Sequence, residues 1–310
     1  MRNHPVEPTR EQELAVLQSV VYASLFDYPL TLDQLHHSLV GVAASKEAIA
    51  SWWRSSDVLQ AAIEYRDGWY FPAGRCDLIA VRSRREALSR ELLDRDRRIL
   101  ALVSRMPFVR VVALSGSLAH LNAEGSADLD LFVITAPNRV WSVTLAVLAL
   151  SRLFGWRKHL CMNYVISERA MKIAPKDLFS ANQIIHLRPV CGHSVFARFL
   201  HANTFVTRFY PNFALPRPQA SSAKPWFERL LSLGPAQIAE AVSRIVYRRH
   251  LRRKAATWQS RDQVRLAPEC LKLHTSSHRA SILARFDQAM IDALQRIEDD
   301  APREVAASRS

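Results

Sequence analysis

The chain has 310 residues, 49% of them apolar, which is enough for a real core and, as a length prior, for more than one domain. Lys and Arg number 42 against 29 Asp and Glu, a formal charge of +13. Such a surface favours anionic partners (nucleoside triphosphates, nucleic acid or anionic lipid) without choosing among them. The polar opening MRNHPVEPTREQE has no hydrophobic signal core, so no secretory signal is expected. The longest apolar run, Val140 to Trp156, is interrupted by Ser142, Thr144, Ser151 and Arg152, which predicts a buried amphipathic helix and no transmembrane segment. Cys76, Cys161, Cys191 and Cys270 form no Cys-x-x-Cys pair and lie at no zinc-ligand spacing; reduced thiols in a cytoplasmic protein are expected.

In chain order, apolar spacing from Glu11 to Phe26 predicts a first helix, broken by Asp27-Tyr28-Pro29. A second starts at TLDQL, with Thr31 and Gln34 set as a capping box, and a third starts at Ser45. In VLQAAIEYRDGWYFP, Asp67-Gly68 lies between two strand-like runs and signals a tight hairpin. Three helices and a hairpin read as a winged helix-turn-helix over residues 10–75. Its third helix offers only Lys46 and Arg54 as cations, with Trp52 and Trp53 as packing residues. DNA binding by this module is therefore a weak expectation, and packing on the next domain or on a partner is the favoured reading.

Residues 76–105 predict one long connecting helix. Its charges Arg84, Arg85, Glu86, Arg90, Glu91, Arg95 and Asp96 mix both signs and read as a solvated face. The core follows at 106–210: a strand at FVRVVALSG, a short helix, a strand from Asp128 to Thr135, a helix from Arg139 to Phe154, a strand from Leu160 to Ser167, then helices at Leu178–Ile185 and Ser194–Arg208. Strand and helix alternating in this way predict a mixed α/β (α+β) core. A Pro-rich linker spans 211–225, C-terminal helices span 226–298, and 299–310 reads as a disordered tail.

The stretch LSGSLAHLNAEGSADLDLF, Leu114 to Phe132, carries the chemistry. Side chains alternate along a strand, so Asp128 and Asp130 point the same way. Two carboxylates about 4 Å apart repel by about 4 kcal/mol at an effective dielectric near 20, so the pair calls for a cation. Mg2+ suits it, being a hard ion that takes oxygen ligands and keeps positions open for phosphate. Gly116 and Ser117 stand where a strand hands over to a helix, a place that holds phosphates. Gly116 permits close backbone approach and Ser117 adds a hydroxyl. The competing reading is an exposed strand end with two solvated acids and a serine that merely caps a helix.

This stretch resembles the signature of the nucleotidyltransferase superfamily with the DNA polymerase beta-type fold: Gly-Ser, about ten residues, then Asp-hydrophobic-Asp-hydrophobic. FDYPLT and DGWYF are similar to segments of bacterial and archaeal nucleotidyltransferase-domain proteins with an N-terminal winged helix. The resemblance implies transfer of a nucleoside monophosphate from an NTP, with Asp128 and Asp130 binding two Mg2+ ions and Gly116 and Ser117 holding the β- and γ-phosphates. It also implies a third carboxylate from a later strand. The strand LCMNYVIS carries Asn163 there, an amide that takes a proton poorly, and Glu168 just past its end is the candidate substitute. The acceptor is unidentified: a small molecule, RNA or the side chain of a partner protein. The alternative is a catalytically degenerate nucleotide-binding or DNA-binding regulator using the winged helix.

Two further features are open. His186 and His193 flank LRPVCG and read as ordinary polar residues. YRRHLRRK, Tyr247 to Lys254, reads as a solvated helix end by default; an RNA-phosphate contact, or a membrane-surface patch below Ile238, Val242, Ile245 and Val246, are the other readings.

Overall fold

The computed structural model describes residues 7–125, 127–217, 226–232, 235–273 and 278–307, without the side chains of 163, 226, 227, 229, 235, 262 and 299–307. The chain opens with α1 (Arg10–Ser24), capped by a Thr9–Gln12 capping box. Then come β1 (Leu30–Thr31), α2 (Leu32–His37), α3 (Lys46–Ser55), α4 (Asp57–Ala62), β2 (Ile63–Arg66) and β3 (Trp69–Pro72). The Thr31–Gln34 capping box forms as expected. Asp67 and Gly68 take φ of +52° and +87°, the left-handed pair that a two-residue hairpin needs. The helix α4 is a departure: VLQAA reads as strand, but Ser56 caps it by accepting from Leu59 N at 3.1 Å and turns it helical. The small antiparallel sheet has the order β1-β3-β2.

The single helix expected over 76–105 is two, α5 (Asp77–Arg95) and α6 (Arg97–Arg105). The break is at Asp96, which is buried and held by the guanidinium of Arg95 at 2.8 Å. The core elements are β4 (Val109–Leu114), α7 (Gly116–Ala119), β5 (Leu129–Thr135), α8 (Val140–Leu153), β6 (Leu160–Ser167), α9 (Leu178–Ile185), β7 (Arg188–Cys191), α10 (His193–Ala202) and α11 (Val206–Phe209). After the Pro-rich stretch, of which 218–225 lie outside the described residues, come α12 (Trp226–Ser232), α13 (Pro235–Lys254), β8 (Val264–Ala267), β9 (Cys270–Leu273) and α14 (Arg279–Ala307).

The larger sheet is mixed, in the order β7-β4-β5-β6-β9-β8; β5 and β6 are parallel and the other neighbours antiparallel. Its residues alternate between two apolar layers. Leu129, Leu131 and Val133 pack with Trp141, Val143 and Val147 of α8, whereas Phe132 and Ile134 pack with Ile184 of α9 and Phe199 of α10. The chain is thus mixed α/β, with helices on both faces of the sheet.

The C-terminal part corrects the expectation of helices alone. Val264 to Leu273 forms a hairpin that extends the sheet beyond β6, tied by Ser167 N to Glu269 O at 3.0 Å and by the Trp141 indole to Ala267 O at 3.0 Å. Two buried carboxylates anchor the helices before it. Glu228 of α12 accepts from Phe108 N at 2.8 Å and grips Arg110 with both oxygens. Glu240 of α13 accepts from Trp141 N, Ser142 N and the Ser142 hydroxyl at 3.0, 2.7 and 2.6 Å. It caps α8 in place of Arg139, whose side chain supplies no cap bond. The last helix runs to Ala307, into the expected tail; 308–310 lie outside the described residues. Through Ile282 and Phe286 it returns to α1, where Phe286 meets Tyr22 edge-on at 5.3 Å. Ile238, Val242, Ile245 and Val246 are exposed on α13.

Candidate functional site

The corner after β4 is fixed by its partner strand. Ser115 N donates to Asp130 O at 2.9 Å, and Gly116 follows with φ of +63°. A Cβ on Gly116 would stand 2.5 Å from Asp130 Oδ2. Glycine is favoured on both counts, and its missing side chain makes room first for the carboxylate. The four-residue α7 starts here.

The loop beyond α7 is bolted from outside. Arg82 donates to Leu121 O at 2.6 Å, Ser89 Oγ accepts from Ala123 N at 3.0 Å, and the Asn122 amide donates to Phe26 O at 2.8 Å. Arg85 reaches Phe26 O at 3.0 Å and pairs with Asp27 and Glu124. Mixed charge predicts a solvated face for Arg85, but its side chain is only 12% exposed, and that of Arg82 only 3%. Both lie on the first helical part of 76–105, and the mixed charge around them hid the clamp.

Asp130 borders a cavity of about 210 Å³ on the α9/α10 face, with Ser115, Gly116, Tyr164, Lys272 and Arg279 in its wall. Arg279 is paired with Asp177, and Lys272 comes from the unexpected hairpin. Asp128 stands one residue before β5 and is exposed. Its charge helps raise the pKa of Arg95, after the larger effect of the Asp96 hydrogen bond. Ser117 opens on a different cavity, and Ser115, not Ser117, shares a wall with Asp130.

Asn163 lies in β6 at an irregularity opposite Leu131, where the register shifts between Asp130 and Phe132; its side chain is outside the described residues. Glu168 is not brought to the corner. Asp130 faces Cys161 near the start of β6, whereas Glu168 follows its end and donates its amide to Thr135 O at 3.0 Å. Five residues of strand separate Thr135 from Asp130, about 16 Å at about 3.3 Å each. The Glu168 carboxylate is bonded by Arg198 at 2.6 Å, with Arg110 at 3.6 Å. As a third metal ligand beside Asp130 it is out of reach.

The larger cavity, about 440 Å³, shares Gly116 and Gln183 with the smaller one. It lies between α1, the 25–30 segment, the α7 corner and α9. The His120 and His186 rings meet at a tilt in its wall, 4.3 Å between centroids and 31° apart, and His37 is 6.1 Å from His186. His186 donates from Nδ1 to Asn182 O at 2.9 Å. Burial drives the His186 pKa down to about 4 and that of His120 well below its ordinary value, so both rings are neutral at pH 7. His186 is thus part of a cavity wall, while His193 begins α10 and is exposed.

The chain matches no family model, no curated protein and no solved structure. Of the two acids at the start of β5, Asp130 alone borders the smaller cavity, with Lys272 and Arg279; among the described residues no three or more His, Cys, Asp or Glu side chains gather as a metal site. The four cysteines are free thiols, and among the described residues no helix is long and apolar enough to cross a membrane.

Proposed function

We propose that the Gly116–Asp130 corner is the site of a Mg2+-dependent nucleotidyltransferase that moves a nucleoside monophosphate from an NTP to an acceptor hydroxyl. The observation that carries this reading is the seating of Asp130 directly under Gly116, at the wall of a cavity that also holds Lys272 and Arg279. On this reading Asp130 and Asp128 hold the metal, and Lys272 and Arg279 draw the triphosphate to the cavity. The ion, when bound, lowers the pKa of the acceptor hydroxyl and neutralises the leaving phosphates. The acceptor hydroxyl gives its proton to solvent as its oxygen bonds to the α-phosphorus, the bond from that phosphorus to the α–β bridging oxygen breaks, and pyrophosphate leaves. Gly116 leaves the carboxylate room to stay at the corner. The clamp of Arg82, Arg85 and Ser89 keeps the corner from shifting.

Residues 10–75 carry four helices before the hairpin, one more than the winged-helix reading expects, and they offer DNA little. Lys46 is paired with Asp33, and Trp52 is buried. That leaves Arg54 as the remaining cation named for α3. The test is incubation with each alpha-labelled NTP, Mg2+ and cell extract. Label on an acceptor, lost in Asp130→Asn, supports transfer. Mg2+-dependent NTP binding without label supports the degenerate regulator, and absence of both removes the nucleotide reading.

A further inference from the structure

We infer that the outer face of α13, with the turn that follows α8, docks on the surface of an anionic lipid bilayer. Ile238, Val242, Ile245 and Val246 are exposed. Their spacing of i, i+4, i+7 and i+8 puts them in one row along the helix. Ile238 is 68% exposed and Ile245 65%, so nothing among the described residues covers this row. Apolar residues scattered singly over a surface are ordinary; a row of them on one helix face is not. The opposite face is the one that packs. Glu240 caps the first turn of α8, the Tyr247 ring meets that of Trp141 at 6.3 Å between centroids, and Leu251 joins the cluster around Trp141. One side of α13 is thus seated on α8, and the other carries the apolar row.

Charge names the occupant. Arg249, Arg252 and Arg253 continue the same face toward the C-terminus, and all three are exposed. The end of α8 adds to them: Arg152, Arg157 and Lys158 are exposed and flank Leu153 and Phe154, of which Leu153 is 76% exposed. Burial raises the Tyr247 pKa, and the charges of Arg157 and Arg152 oppose that rise, which sets them beside the basic half of α13. No acidic residue occurs from Arg139 to His159, and between Pro235 and Lys254 the one acid is Glu240, buried at the cap of α8. Exposed aliphatic groups beside cations that no neighbouring acid answers are complementary to an anionic bilayer. The aliphatic groups enter the boundary between headgroups and acyl chains, and the arginines meet the lipid phosphates. A nucleic acid would answer the cations but leave Ile238 and Ile245 in water. A second copy would cover the apolar row, but it would crowd the adjoining arginines with no acid on either outer face to pair with them.

Docking is independent of the transferase reading, and its test needs no nucleotide. The full chain is expected to co-sediment with vesicles of equal parts phosphatidylglycerol and phosphatidylcholine, and not with vesicles of phosphatidylcholine alone. A basic protein is drawn to any anionic surface, so the deciding variant keeps every charge. Ile238→Ser with Ile245→Ser is expected to weaken the binding about tenfold or more, as loss of two aliphatic groups from a lipid boundary does. Both side chains are exposed, so the urea midpoint should stay where it was. Arg249→Gln with Arg253→Gln is expected to weaken the binding about fivefold for each arginine. In the unaltered chain, vesicles with brominated acyl chains should quench tryptophan emission, since Trp156 stacks on the exposed Phe154 at 4.9 Å. Three results would overturn docking on lipid. One is binding that the isoleucine changes leave intact, which is plain attraction between charges. Another is the absence of quenching. The third is a dimer in sedimentation equilibrium that the isoleucine changes split, with no binding to vesicles, which assigns the face to a second copy.

Discussion

Gly116 sits over the carboxylate of Asp130 with no room for a methyl group between them: a Cβ there would lie 2.5 Å from Oδ2. Glycine and acid therefore form one unit, although fourteen positions separate them in sequence. Gly116→Ala must either push the carboxylate aside or move a backbone held at φ of +63°. A loss of about 1–3 kcal/mol in urea unfolding is expected, from strain at a left-handed position. Mg2+-dependent NTP binding should fall with it, while Ser117→Ala, which faces the other cavity, should spare the metal dependence. Equal loss in both variants would count against the division of the corner.

Glu240 provides an N-cap across sequence. Its carboxylate satisfies two amides and one hydroxyl at the start of α8. Removing it leaves Trp141 N buried without a partner. We expect Glu240→Ala to cost about 3 kcal/mol and Glu240→Gln about half of that, since hydrogen bonds to a charged group contribute roughly 1.5–3 kcal/mol each. The check is the urea midpoint at constant m-value. A change under about 0.5 kcal/mol would show that the anchor contributes little.

The buried histidines make stability depend on pH. His186 has a folded pKa of about 4 against an ordinary value of 6.5, and His120 shifts in the same direction. Between these values the unfolded chain binds more protons, so stability rises with pH there. The contribution is complete above about pH 6.5 and fades as pH falls toward about 4, by about 1.4 kcal/mol per pH unit at its steepest for one group. Unfolding free energies measured from pH 7 to 4.5 should decline along this course. His186→Gln should flatten it; an unchanged slope would refute the assignment.

The N-terminal module depends on the last helix. Phe286 and Ile282 of α14 complete the cluster around Tyr22, Val16 and Leu35. Phe286→Ala is expected to cost about 3 kcal/mol, in the range for a large core aromatic. Protection of α1 amides from hydrogen exchange should drop, and that of β5 should not. If α1 protection is unchanged, α14 is an appendage and not part of that core.

Much of the local structure was legible in the chain. The Thr31–Gln34 capping box, the Asp67-Gly68 turn, β6 over Leu160–Ser167 and α9 over Leu178–Ile185 follow from short-range rules of capping, turn dihedrals and periodicity, and these act over four or five residues. The Gly-Ser and Asp-x-Asp positions were legible in the same way, as residue types at a spacing. Tertiary structure alone decided what depends on partners distant in sequence. VRLAPECLKL is a hairpin because β6 offers an open edge, and mixed charges on α5 are a clamp because Leu121, Phe26 and Glu124 lie beneath them. Glu168 is remote from Asp130 because parallel strands place residues by register and not by nearness to a motif. The 440 Å³ cavity exists only once α1, α7 and α9 have packed, since its walls come from segments distant in sequence.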